Sequence, residues 1–405
     1  MPAAHPQVRF RLVLALCSSL SLAGLACDGG TRTTNPEEID DDLGEGELSG
    51  QGPGGIGAVT SGMGDADPKV VEAETLLADG KHQRALEVID AAIAENPAQA
   101  RYHYVRGNAL TYLDDNAAAE AAYQKAIELD ADDPLPHYAL GQLIAFREGA
   151  TVEDKQRATE LFQTALKLDP KLAPAHQSLG VVLIALGQFQ HAVEALETAD
   201  RLAGSVETAY LLAQAHGELG NFDKAVEYAR SAVEFEPGAS GVDLRLLLAR
   251  LLLKKGDADA AAQEFEQVAK LAPDSPPLRL EVARGLLELG RPDAAMVHMQ
   301  WLLEVAPKEI PVIVNHARVL VAQGKPKDAI ARFDEALAIK PDSRAALTYK
   351  IEAQVAAKRC KDARKTFDTL AEALGWKGAK ALAAKPEDLP RALEKARGFL
   401  KPACK

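Results

Sequence analysis

Small apolar positions recur along this chain at a nearly fixed interval. Alanines stand at Ala85, Ala119, Ala158, Ala192, Ala225, Ala261, Ala295, Ala329 and Ala363, with steps of 34, 39, 34, 33, 36, 34, 34 and 34 residues. A period of this size predicts stacked repeats, which offer an extended face to a partner instead of housing chemistry in one pocket. Each period reads as two helices. The first ends near a glycine, at Gly80, Gly187, Gly220, Gly256, Gly290 and Gly324, with Asp114 at the matching place in the second repeat. The second runs to a proline, at Pro97, Pro170, Pro237, Pro273, Pro307 and Pro341, and cannot continue through it. Prolines such as Pro174, Pro277 and Pro311 open the next first helix, where a missing N–H matters little. Small residues mark where two helices touch. In the fifth repeat these are Ala213, Ala225 and Ala232, with Leu212 and Val226 filling the seam beside them.

Stretches such as Gly220-Asn221-Phe222-Asp223-Lys224-Ala225 and Tyr123-Gln124-Lys125-Ala126-Ile127-Glu128-Leu129-Asp130 resemble the tetratricopeptide repeat. The resemblance covers residues 66–374 as eight good repeats and a degenerate ninth. It implies an all-α fold, a right-handed α-solenoid of tandem helix-turn-helix units. Two departures stand out. The third repeat is about five residues longer around Arg147 to Gln156, which places the extra length in its inter-helix turn. The ninth has Lys358-Arg359 where the turn glycine belongs. In residues 375–405, Leu389, Ala392, Leu393, Ala396 and Leu400 recur at helical spacing and read as a C-terminal capping helix over the last repeat.

The first residues follow another pattern. Arg9 and Arg11 precede an apolar stretch from Leu12 to Leu25, too short for a comfortable membrane span. Residues 1–26 therefore read as a signal peptide. The stretch Gly24-Leu25-Ala26-Cys27 resembles a bacterial lipobox, although Gly24 stands where leucine is usual, so Cys27 is the expected lipidation site. Ordinary signal cleavage nearby, leaving a thiol, is the alternative. Residues 27–65 form a linker. From Asp28 to Asp65 it holds eleven glycines, nine acids and one base, Arg32, and such a segment buries too little apolar surface to fold. Gly52-Pro53-Gly54-Gly55-Ile56-Gly57 matches a dinucleotide fingerprint in letters only, because no strand precedes it.

With the repeat in view, composition refines the reading. The 405 residues are 47% hydrophobic but only 5% aromatic, as suits closely packed helices, and the formal charge of −13 argues against non-specific nucleic-acid binding. Charge is uneven: residues 340–405 hold sixteen bases and eight acids, densest at Lys358, Arg359, Lys361, Arg364 and Lys365. This is a solvated helix face or a surface for an anionic partner or membrane. Cys17 leaves with the signal. Cys360 and Cys404 remain as an even pair, either a disulfide in an oxidising envelope compartment or two free thiols.

No phosphate loop, serine elbow or paired-histidine zinc motif occurs, so neither a catalytic residue nor a cofactor is expected. His103, His137 and His176 recur at one position in three repeats, a spacing that suits repeat packing and not a metal. In tetratricopeptide families the first helices line a concave groove. One position there reads Asn108, Gln142, Val181, Gln214, Arg250, Arg284 and Arg318, and one turn earlier stand Tyr104, Tyr138 and Tyr210. Tyrosine and amide suit a peptide backbone, and arginine suits carboxylates. The alternative is that the arginines pair with Glu264, Glu281 or Glu288. The expected function is a non-enzymatic, protein-binding scaffold lipid-anchored in the bacterial cell envelope and facing the periplasm, engaging an acidic protein or peptide segment. No nucleic acid or small-molecule substrate is expected. The runner-up is a regulatory or recruiting subunit of an envelope enzyme.

Overall fold

The computed structural model describes residues 67–404; the expected signal peptide, Cys27 and the expected linker lie outside them. Among the described residues there are twenty α-helices, two short 3₁₀ turns and no strand. They fall into two compact units, divided between Pro237 and Gly238. The first contains α1 (Pro68–Ala78) and α2 (His82–Glu95), α3 (Ala100–Tyr112) and α4 (Asn116–Leu129), α5 (Pro134–Phe146) and α6 (Val152–Leu168), α7 (Ala173–Ala185) and α8 (Phe189–Ala203), and α9 (Val206–Glu218) and α10 (Phe222–Phe235). The second contains α11 (Val242–Lys255) and α12 (Ala258–Leu271), α13 (Pro276–Glu288) and α14 (Pro292–Val305), α15 (Ile310–Ala322) and α16 (Pro326–Ile339), α17 (Arg344–Ala356) and α18 (Cys360–Ala373), then α19 (Gly378–Ala383) and α20 (Arg391–Ala403).

All nine periodic alanines, Ala85 to Ala363, have no exposed surface. Each sits on a second helix at its crossing with the first. One turn on, the second helix carries a large side chain, such as Tyr123, Phe162 or Leu196, and the first helix answers with a glycine. A Cβ on Gly107 or Gly180 would run into the Tyr123 or Leu196 side chain, and one on Gly141 would lie 2.8 Å from Phe162 Cε1. Large against small at successive crossings lets the pairs pack without voids.

The turns between paired helices need a left-handed residue. Glycine supplies it at seven of them, Gly149 in the third pair included, and Asp114 and Lys358 adopt it at φ 63° and 59° where glycine is missing. The ninth pair therefore forms with the same turn. The third pair differs from the sequence expectation. Its extra length is divided, with two residues added to the turn and three to α6, which spans 17 residues against 14 in α4. The reason is local. Thr151 and Asp154 form a capping box that starts α6 immediately after Ala150.

The histidine series bonds consecutive pairs together. Nε2 of His103, His137 and His176 donates to the carbonyl oxygens of Pro97, Ala131 and Pro170, at 2.8, 3.2 and 3.0 Å. Each carbonyl lies six residues back, just past the preceding second helix. Arg279 does the same for Pro273 with two nitrogens while its guanidinium lies 4.3 Å over the Trp301 ring.

In the second unit, Leu389, Leu393, Ala396 and Leu400 are buried against Leu347, Ile351, Phe367 and Leu370, so α20 covers the last pair. A disulfide joins Cys360 to Cys404. Arg364 donates to the Cys404 carbonyl at 2.7 Å, holding the same corner.

Two buried histidines make stability depend on pH. Burial pushes His216 and His316 below the ordinary histidine value of 6.5. His216 stacks on Tyr228 at 5.7 Å. A folded pKa below the unfolded one means their contribution is present above the unfolded value and lost as pH falls through the folded one.

Three outcomes follow. Gly141→Ala should lower stability by about 1–3 kcal/mol in urea unfolding. Gly398→Ala, in exposed helix with nothing within 4 Å, should instead raise it by up to about 1 kcal/mol; equal effects would show the crossing is misread. His216→Phe keeps the stack and should shrink the fall in melting temperature between about pH 7 and pH 5. An unchanged fall would assign the acid sensitivity elsewhere. Reductant should lower the melting temperature of the second unit, since a bond across a sequence separation of 44 contributes about 4 kcal/mol on the chain-entropy model. An unchanged melt after verified reduction would contradict that.

Candidate functional site

The position singled out in the first helices behaves differently in the two units. In the first, it turns inward. Tyr104, Asn108, Tyr138, Tyr210 and Gln214 are all buried, at 5–7% exposure. The Tyr123 hydroxyl on α4 donates to Asn108 Oδ1 at 2.8 Å and meets Thr111 Oγ1 at 3.1 Å. Tyr104 packs against the Tyr123 ring at 6.1 Å, and Tyr138 against Phe162 at 6.0 Å. Burial pushes the phenols of Tyr104 and Tyr123 above the ordinary tyrosine value. This corrects the expectation that tyrosines and amides here are presented to a peptide. In the second and third pairs the large residue on the second helix, Tyr123 or Phe162, reaches the same seam and packs against them. Gln142 stays half-buried and reaches Ser178 on the next first helix at 3.4 Å.

In the second unit the position faces outward. Arg250 on α11, Arg284 on α13 and Arg318 on α15 are half-buried, not sealed. Of the three candidate carboxylate partners, Glu281 is the one that meets them. It pairs with Arg250 across α11 and α13, and with Arg284 within α13 at 3.2 Å. Glu264 is engaged by Arg245 instead, at 2.9 Å. Arg318 donates to Asn315 Oδ1 at 2.9 Å and lies over the Tyr349 ring on α17 at 4.3 Å. Among the described residues, Glu281 thus lies between the first two guanidiniums and Glu352 near the third. The side chains of Arg250, Arg284 and Glu281 are 43%, 33% and 29% exposed, so water screens the pairs and each contributes only about 0–1 kcal/mol. A competing carboxylate can displace such a pairing at little cost.

Sequence reasoning named the arginines but missed Tyr349 and Lys395 beside Arg318. Tyr349 stands three residues before Glu352, which occupies the arginine phase in the last pair. That register was the available signal. Among the described residues, no group of three histidine, cysteine, aspartate or glutamate side chains is placed to hold a metal ion.

Models described as the tetratricopeptide repeat match residues 70–134, 173–205, 210–276, 252–313 and 320–385. The chain belongs to the tetratricopeptide repeat family. Tetratricopeptide proteins are protein-interaction scaffolds. Among curated proteins, the chain is 27% identical over 204 residues to the DnaJ homolog subfamily C member 7 homolog of Schizosaccharomyces pombe, covering 45% of this chain and 41% of that one. It is 34% identical over 103 residues to small glutamine-rich tetratricopeptide repeat-containing protein 2 of Mycosarcoma maydis, covering 25% and 28%. The chain spans less than half the length of these relatives. Among solved structures, that of PilW, described as a type IV pilus biogenesis factor, matches at 21% identity, with 53% of this chain, 98% of that one and a TM-score of 0.45.

Glu281→Gln removes the shared carboxylate without adding bulk. It should change the melting temperature by no more than a degree or two, given the pairs' exposure. A loss of several degrees by differential scanning fluorimetry would mark the arginine row as structural.

Proposed function

We propose that this chain is a non-enzymatic scaffold of the bacterial cell envelope whose second unit holds an acidic segment of a partner protein. The observation that carries the reading is the arginine row. Arg250, Arg284 and Arg318 stand at one phase of three successive first helices; Glu281 pairs with the first two, and Arg318 donates to Asn315 with Glu352 nearby. The three guanidiniums outnumber the two acids beside them, Glu281 and Glu352, on a face half open to water. Guanidinium and carboxylate form charge-assisted, often bidentate bonds, so the row selects acidic side chains or a chain-terminal carboxylate. The envelope placement rests on Arg9, Arg11, the apolar run to Leu25 and Cys27. Cys27 would carry the lipid, and the acidic linker would set the solenoid off from the membrane.

Fluorescence anisotropy with a labelled dodecapeptide rich in aspartate and glutamate tests the binding face. Replacing all three arginines with alanine should weaken binding by about tenfold or more, because three half-exposed pairs of up to about 1 kcal/mol each are lost together. Glu281→Gln should tighten it by removing the internal competitor. A triple variant that loses thermal stability but keeps its affinity would overturn the reading. The tether is tested separately. Cys27→Ser should release the protein from membranes on a high-salt wash, since stable anchoring takes two or more acyl chains; retention equal to wild type would contradict it.

A further inference from the structure

The C-terminal cap places a second cation beside the last of the arginines. Leu393, Ala396 and Leu400 fix α20 in the core, and the Cys360–Cys404 bond closes its far end. That fixes Lys395 as well. Its Nζ lies 4.5 Å from the Tyr349 ring centroid and donates to the Tyr349 hydroxyl at 2.7 Å. Arg318 approaches the same ring at 4.3 Å. Two cations therefore stand at one aromatic ring, a concentration of positive charge that favours carboxylates. The nearby acid is Glu352, one turn along α17. Burial pushes its carboxyl above the ordinary glutamate value, against the pull of Arg318 and Lys395. Tyr349 is half-buried and Lys395 is exposed, so the place is open to a ligand.

The chain carries a segment of matching chemistry. Residues 37–47 hold seven acids, Glu37, Glu38, Asp40, Asp41, Asp42, Glu45 and Glu47, and no base. Twenty residues separate Glu47 from Asp67, where the described structure begins. That length of chain spans up to about 70 Å. A segment tethered to its own binding site is present at an effective concentration that a free partner must exceed.

We infer that Arg318, Lys395 and Tyr349 form a carboxylate-binding site at the cap, and that the chain's own acidic run, Glu37–Glu47, occupies it when no partner is bound. The run then competes with an acidic partner for Arg318, the end of the arginine row. The inference rests on the proposed binding role for its consequence, but the contact is tested without any partner.

Zero-length carbodiimide coupling joins lysine amines to carboxylates that touch them. On the full-length protein at low salt, peptide mapping should find Lys395 linked to an acid of residues 37–47. Lys350, whose Nζ sits 2.5 Å from Asp334, is the internal control. A Lys350–Asp334 link with none from Lys395 to residues 37–47 would overturn the inference. So would a link found only between chains when isotopically labelled and unlabelled protein are mixed. A second arm replaces Glu37, Glu38, Asp40, Asp41 and Asp42 with their amides. The labelled acidic dodecapeptide should then bind about threefold more tightly or better, as expected if the run fills the site two-thirds of the time. Unchanged affinity in that variant, with wild type still binding, would defeat the inference and leave the binding role standing. Failure of both proteins to bind would defeat the binding role, and the cross-link would still decide the contact.

Discussion

Close approach of two helices at a residue without bulk is the constraint on which the rest depends. The nine alanines from Ala85 to Ala363 are sealed from solvent, and the neighbouring glycines leave room only for the ring or branch they face. Interiors packed this tightly respond to a single added methyl. Because each crossing fixes how a first helix lies on its second, it also fixes which side chains of the first helix remain outside. The outward phase of α11, α13 and α15 carries arginine for that reason. In α3 and α5 the neighbouring positions pack against Tyr123 and Phe162, and Tyr123 takes Asn108 into its hydrogen bond.

Polar side chains then run from one first helix to the next. Arg101 reaches Glu74 at 2.6 Å, Gln142 reaches Ser178 at 3.4 Å, and Gln177 reaches Thr208 at 3.3 Å. In the second unit Arg250 meets Glu281 and Arg318 meets Tyr349. These links are half-exposed, so they align the helices more than they stabilise them. What separates the second unit is charge. Its links use guanidiniums in excess of carboxylates, and α20 adds Lys395 at the end of the series. The proposed binding of an acidic segment rests on that excess.

Much of this was legible in the residues. The period marked every helix pair, and turn glycines or closing prolines marked most of them, because backbone chirality and the missing proline N–H act locally. The cap was visible as Leu389, Leu393, Ala396 and Leu400, since a periodic apolar face needs something to cover. What pattern could not show was partner choice across helices. Asn108 and Arg250 occupy one phase, yet one bonds inward to Tyr123 and the other outward to Glu281. The difference lies in the residue fifteen positions on and in side-chain length, neither of which periodicity records. The division of the five extra residues in the third pair depended on the Thr151–Asp154 capping box, a local signal that was present and overlooked. The recurring histidines read as packing residues, but the carbonyls they hold became visible only in three dimensions.

Hydrogen–deuterium exchange with mass spectrometry, with and without the acidic dodecapeptide, tests the central claim most directly. If the arginine row is the binding face, peptides spanning Val242–Lys255, Pro276–Glu288 and Ile310–Ala322 should exchange more slowly in the complex, because a bound segment stabilises those helices against local opening. Second helices at 258–271, 292–305 and 326–339 should respond less. Protection confined to those second helices, or to residues 67–237, would contradict the account.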